Sequence, residues 1–300
     1  MLFGKYIKHC RDKYHLTQEE LVNKCYNFDL EFIGLDIGTL SRWERGITSP
    51  NVDKQIKIVK LLQSYENCVF PYFNSYDISE LEHEFSKTGV QNLIGNSKNH
   101  ILNFPHSNII EENIKIINVY DSQNAEALLK MPNDILFSLT NNHYQLNLDI
   151  LREWATNKGN LFLVSQYENN FFGMLLVLRI KPEVFEEVLS FERELKTLKD
   201  EDFSKDSQVG CSLPIAFFAY NNTIASFLYL RYYANLIANQ NYILEVGSTT
   251  VIDGTVKLVE KIHLKKYKSS SKKSEELTSY KANLEDVLLR DDVFKMIFKK

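Results

Sequence analysis

The stretch Asp36-Ile37-Gly38-Thr39-Leu40-Ser41-Arg42-Trp43-Glu44-Arg45-Gly46 constrains this chain more than any other. Asp36 is a strong N-cap whose carboxylate can accept the orphan amide of Thr39. Leu40 and Trp43 stand three apart on one apolar face, and Gly46 suits the left-handed residue that ends a helix. The spacing predicts a short helix that keeps Ile37, Gly38, Thr39 and Arg42 outside. An exposed first turn followed by an Arg one turn later can enter a major groove end-on. There the guanidinium offers two parallel donors to a guanine edge, and a Thr methyl can touch a thymine.

Upstream, Phe3, Tyr6, Ile7 and Cys10 recur at helical spacing with Lys5, Lys8 and Arg11 between them. Thr17-Gln18-Glu19-Glu20 reads as a capping box that starts a second helix. Downstream, Arg45, Thr48, Ser49 and Asn51 lie in a loop around Pro50, a setting of short polar side chains and free amides that can hold a phosphate. Ile56, Val59 and Leu62 then mark a closing amphipathic helix, on which Lys54, Lys57 and Lys60 are expected to form a solvated face.

Taken together, Phe3 through Arg11, Leu16 through Leu21, Leu40 through Gly46, Pro50 and Ile56 through Leu62 make residues 1–66 resemble the Cro/CI repressor type of helix-turn-helix domain, the Xre family. The resemblance implies an interior ion pair between Arg11 and Glu44, and a phosphate contact for Gln18 at the positive end of the second helix. The expected DNA-binding residues are Gln18, Ile37, Gly38, Thr39, Arg42, Arg45, Thr48, Ser49 and Asn51. One departure stands out: the chain from Leu21 to Leu40 is longer than the family's turn. It carries Phe28, Leu30, Phe32, Ile33 and Leu35, too apolar for a solvated loop, so it either lengthens the second helix or forms a packed flap.

Net charge is −4 over 300 residues, and it is unevenly placed. Residues 1–66 carry ten Lys/Arg against nine Asp/Glu, a net of +1. A field that weak leaves DNA affinity to local charge placement and to homodimerisation. No apolar run approaches the roughly 20 residues of a membrane span, and the N-terminus lacks a signal pattern, so a cytoplasmic protein without membrane contact is expected. Cys10, Cys25, Cys68 and Cys211 are scattered without a Cys-x-x-Cys pair; they read as small buried hydrophobes, and no metal site is expected.

Residues 67–113 read as a partly ordered linker, with Leu81 and Phe85 marking one short helix. Beyond it, β-branched and apolar runs alternate with helical patterns. Strands are predicted at 114–120, 161–167, 171–180, 213–220 and 242–246, and helices at 124–131, 182–196 and 224–239. The second and third strands flank Glu168-Asn169-Asn170 as a hairpin. Over 114–265 this order resembles the acyltransferase fold of the GNAT superfamily, which implies a Gly-rich turn between a strand and a helix whose amides cradle coenzyme A. Here that turn is Asn221-Asn222-Thr223-Ile224-Ala225, without a glycine or a cation. Neither Glu245 nor the seven dispersed histidines make a nucleophile-base constellation. Neither a cofactor nor catalytic residues are therefore expected.

Lys265 through Lys273 reads as a basic, Ser-rich linker, and Leu277 through Phe298 as one or two amphipathic helices within 266–300. The expected fold is multidomain: an all-α helix-turn-helix domain, a mixed α/β GNAT-like sheet domain that senses a small-molecule or protein effector or dimerises, and C-terminal helices. The expected function is a non-enzymatic, DNA-binding transcriptional regulator. Two alternatives stand beside it, a DNA-targeted GNAT acetyltransferase and a phage or mobile-element repressor with a structural C-terminal domain.

Overall fold

The computed structural model describes residues 1–86, 113–119, 128–130, 134, 147–167, 170–205, 207–250, 259, 262–272 and 275–298. Its elements in chain order are α1 (Phe3–Lys13), α2 (Gln18–Phe28), α3 (Ile37–Glu44), α4 (Val52–Gln63), α5 (Ile78–Ser86), β1 (Ile114–Asn118), α6 (Leu148–Thr156), β2 (Leu161–Tyr167), β3 (Asn170–Ile180), α7 (Pro182–Leu189), β4 (Gly210–Ala219), α8 (Asn222–Ala238), β5 (Ile243–Thr250), β6 (Lys265–Lys272), β7 (Glu275–Asn283), α9 (Leu284–Leu288) and α10 (Asp291–Ile297). Two compact units result. One is Met1–Leu93 with Tyr233–Asn241 and Leu288–Lys300; the other is Ile94–Tyr232 with Tyr242–Val287.

The first unit is helical. Phe3, Tyr6, Ile7 and Cys10 of α1, Leu21 and Cys25 of α2, Leu40 and Trp43 of α3, and Ile58, Val59 and Leu62 of α4 are all buried. The unit continues past residue 66, where the sequence reading had placed a linker. Phe70 and Phe73 are buried, α5 contributes Leu81 and Phe85, and α10 contributes Phe294 and Ile297. The Phe298 ring meets those of Phe3 and Tyr6 edge-on, at 4.9 and 5.3 Å. Near the end of α8, Gln240 brackets Phe70, accepting from its amide at 2.7 Å and donating to its carbonyl at 3.3 Å. All four cysteines are buried, and burial pushes each thiol up to about 12.

The second unit is a seven-stranded sheet of order β1-β2-β3-β4-β5-β7-β6. Neighbours are antiparallel except β4 and β5, which run parallel because α8 crosses between them. The expected hairpin is β2-β3, and β3 is buried from Gly173 to Ile180, as a central strand should be. The helix predicted at 124–131 falls mostly outside the described residues; of it, 128–130 are helical, with Leu128 and Leu129 buried. The helix predicted from Pro182 to Lys196 stops at Leu189, and α6 was not anticipated.

The C-terminal expectation is corrected. Lys265–Lys272 is a strand, not a linker, and Glu275–Asn283 is a strand, not a helix; only Leu284–Leu288 and Asp291–Ile297 are helical. Lysines and serines suit β6 because it is an edge strand, where charge blunts further pairing. Among the described residues, no helix is long and apolar enough to cross a membrane.

Candidate nucleic-acid interface and sheet crevice

Helix α3 starts as its residues dictate. Asp36 Oδ1 accepts from the Thr39 amide at 2.5 Å, and that amide, then the Thr39 hydroxyl, hold the Asp36 carboxyl below its ordinary range. Gly46 closes the helix at a φ of 71°, with the Ile47 amide donating to the Arg42 carbonyl at 2.9 Å. Ile37, Gly38 and Arg42 are exposed and Thr39 is half-buried. The Arg42 Nη2 donates to Thr39 Oγ1 at 2.8 Å, so the guanidinium lies back over the first turn.

Two features of α1 set the seat of this helix. Gly4 is packed so closely that a Cβ there would fall 1.7 Å from the Trp43 carbonyl oxygen, which forces a glycine wherever α1 and α3 approach this way. Arg11 donates to Glu44 from Nε at 2.7 Å and from Nη2 at 3.4 Å, and its Nη1 donates to the Leu16 carbonyl at 2.7 Å. Both side chains are sheltered, 14% and 4% exposed, so the pair is interior.

Gln18 differs from the sequence expectation. It opens α2 behind the capping box formed by Thr17 and Glu20, but its Nε2 donates to Glu44 Oε2 at 2.7 Å. Its amide nitrogen thus completes the Glu44 cluster instead of standing free. Asn51 likewise has local work, capping α4 by accepting from the Lys54 amide at 2.9 Å. Ser49 Oγ donates to the Pro50 carbonyl at 3.4 Å and accepts from Gln55 Nε2 at 3.3 Å, and Arg45 Nε donates to the Ser41 carbonyl at 3.2 Å. Arg45, Thr48, Ser49 and Asn51 are exposed on the loop that follows α3.

The long turn before α3 both lengthens α2, to Phe28, and adds one turn of 3₁₀ helix, Leu30–Phe32. Of its apolar residues Phe32 alone is fully buried; Leu30 and Ile33 are 79% and 62% exposed, which corrects the expectation that they pack away. A single turn of helix has one inward position, and Phe32 fills it. Lys57, expected in a solvated face, bridges Asp29 at 2.8 Å and Glu31 at 3.0 Å and fastens the turn to α4.

The sheet unit has a different kind of opening. The recorded parallel pairs of β4 and β5 are Gly210 with Ile243 and Ser212 with Val246, although the strands run on to Ala219 and Thr250. Over that stretch β4 stays paired with β3 through Ala219, and β5 with β7 through Thr250. Pro214 has no amide to donate, so the backbone ladder is interrupted there, but Ser248 Oγ donates to its carbonyl at 3.2 Å and keeps the two strands side by side. The carboxyl ends of parallel strands beside a helix start are where open α/β sheets take ligands.

Helix α8 begins at the carboxyl end of β4, on the turn Asn221–Ala225. Gly173 of β3 seats it: a Cβ there would come within 2.8 Å of Ile224 Cγ2 and 2.9 Å of the Phe218 carbonyl. Asn221 Oδ1 accepts from the Ile224 amide at 2.9 Å, and the Ala225 amide enters the helix ladder at the Asn221 carbonyl. The Asn222 and Thr223 amides precede that ladder. Elsewhere in this unit Lys281 pairs with Glu186, and with Glu245 at 3.4 Å, over the ring of Tyr267. Among the described residues, no group of three His, Cys, Asp or Glu is placed to hold a metal.

No family model matches the chain, and no curated protein does. Solved structures do. Arabidopsis thaliana Naa50 in complex with the bisubstrate analogue CoA-Ac-MVNAL is 10% identical and covers 57% of this chain and 98% of its own, at a TM-score of 0.39. Ard1 from Thermoplasma volcanium is 13% identical over 57% and 97%, at 0.33. An acetyltransferase of the GNAT family from Streptococcus agalactiae is 10% identical over 59% and 98%, at 0.35. Set beside these acetyltransferase neighbours, the expectation of a non-enzymatic chain is withdrawn. The sheet unit is a mixed, seven-stranded sheet with helices between its strands.

Proposed function

We propose that the chain binds double-stranded DNA with α3, as a homodimer, and carries an acyltransferase-type module in its sheet unit: a DNA-targeted acetyltransferase. One observation carries the first half, the exposed start of α3. An Arg and a Thr stand on a capped, buried-backed helix whose seat is fixed by Gly4 and by the interior Arg11–Glu44 pair. The second half is supported by the start of α8 at the carboxyl end of β4, where β4 runs parallel to β5, and by the two amides there, of Asn222 and Thr223. A pyrophosphate suits that place because free amides and the positive helix end coincide. The turn has no glycine, so an anion there is met by two amides and not by an enclosing loop.

Selection of bound fragments from random duplex DNA by the full-length protein tests the first half; a selected consensus is expected, and recovery of unselected sequence overturns it. Calorimetric titration with acetyl-coenzyme A tests the second. Saturable binding at micromolar concentration is expected, weakened roughly tenfold by Asn222→Pro, which removes one anion-facing amide at the first helical position, where proline is tolerated. Absence of binding by the wild-type chain overturns the transferase reading and leaves the DNA reading standing.

A further inference from the structure

The first turn of α3 contains a relay that links its cap to its guanidinium. Thr39 donates its amide to Asp36 Oδ1 at 2.5 Å, and its Oγ1 accepts from Arg42 Nη2 at 2.8 Å. Thr39 thus joins the two by its amide, which gives its proton to the Asp36 carboxylate, and by its hydroxyl, which receives one from Arg42. The directions are set by chemistry: a guanidinium can only donate and a carboxylate can only accept.

We propose that Thr39 is a positioning residue for base reading, which fixes through its hydroxyl the plane in which Arg42 meets a guanine, while Asp36 caps the Thr39 amide. This rests on the reading of α3 as the DNA-recognition helix. The donor geometry permits it. Nη2 carries two N–H groups; Thr39 takes one, and the other lies parallel to an N–H of Nε or of Nη1. Whichever proton Thr39 takes, the opposite edge of the guanidinium keeps a two-donor fork for guanine O6 and N7. An unheld Arg would have to lose its rotamer freedom on binding; one already held over the helix start has less to lose.

The role assigned to Thr39 differs from a direct contact of its methyl with thymine, and Thr39→Val separates the two. Valine keeps the β-branched shape, a methyl and the backbone amide that Asp36 caps, but removes the hydroxyl. Binding of the full-length protein to its selected site, and to variants at each base pair, would be measured for wild type, Thr39→Val, Thr39→Ser, Arg42→Ala and the Thr39→Val/Arg42→Ala double variant. Thr39→Val is expected to lose roughly threefold to tenfold in discrimination, at the same base pair that Arg42→Ala affects. Salt dependence should stay unchanged, since no phosphate contact is removed. Thr39→Ser should restore discrimination, and in the Arg42→Ala background Thr39→Val should have no further effect. Additive losses in the double variant, or a uniform loss on all sequences, would overturn the relay. Unchanged discrimination in Thr39→Val would do the same. A wild-type protein that selects no sequence would instead sink the DNA-reading function on which the relay depends.

Discussion

Helices α3 and α8 both begin behind a side-chain cap on the amide three residues on, Asp36 to Thr39 and Asn221 to Ile224, and both are seated by a glycine on a neighbouring element. They are used differently. The α3 helix buries one stripe, Leu40 and Trp43, and turns its first turn outward. The α8 helix is buried over most of its circumference, from Ile224 and Ala225 through Tyr229 and Tyr232 to Leu236 and Ile237, with a half-buried stripe at Phe227, Arg231 and Asn235. A one-sided helix leaves side chains of its first turn exposed, whereas one buried over most of its circumference exposes little beyond its start.

The comparison is sharpest at the seats. Glu44→Ala takes the interior carboxylate from the sheltered Arg11 guanidinium, leaving it Asp12 at 3.0 Å on its outer side, and frees Gln18; it should cost about 3 kcal/mol in denaturant unfolding of the full chain. A loss under about 1 kcal/mol, the range of an exposed pair, would mean that the pair is not interior. Next come the glycines. Gly4→Ala meets a backbone oxygen that cannot swing aside, and should cost about 3 kcal/mol or more, while Gly173→Ala first meets the end of the Ile224 side chain and should cost roughly 1–3 kcal/mol. The reverse order would show that α8 is held more rigidly than α3.

For binding, Arg42→Ala should weaken the selected site by roughly 1–3 kcal/mol and relax one base pair, whereas Gln18→Ala, which loosens the Glu44 cluster that seats α3 and removes no base contact, should weaken all sequences alike. Equal affinity of Arg42→Ala and wild type for matched and mismatched sites would remove Arg42 from the readout. The smallest effect lies in the caps. Asn221→Ala should cost about 1 kcal/mol at any pH, because an amide does not titrate. Asp36 has a folded-state pKa below its unfolded one, so its contribution is present above the ordinary carboxylate range and lost as pH falls through the lowered value. Unfolding of wild type and Asp36→Asn across acid pH checks this: asparagine should cap the helix and flatten that part of the pH dependence. Parallel curves would show that the Asp36 charge is not what stabilises the turn.

What the sequence determined by itself was whatever depends on residue type and short spacing. The caps at Asp36 and Thr17, the left-handed Gly46, the buried stripe of Leu40 and Trp43 and the β2-β3 hairpin follow from partners within a few residues. Arg11 and Glu44, 33 residues apart, were legible only through the resemblance that paired them. Tertiary structure decided the rest, because the deciding partner lies far along the chain. Gln18 is drawn to Glu44 26 residues away, and Lys57 is spent on Asp29 and Glu31. Leu30 is left outside because Phe32 occupies the one inward position of its turn. Lys265–Lys272 has the composition of a solvated linker, and it is a strand because β7 lies beside it to accept its backbone. The parallel pairing of β4 with β5 is likewise invisible in either strand alone: each is an ordinary apolar run, and they lie side by side because α8 carries the chain across between them.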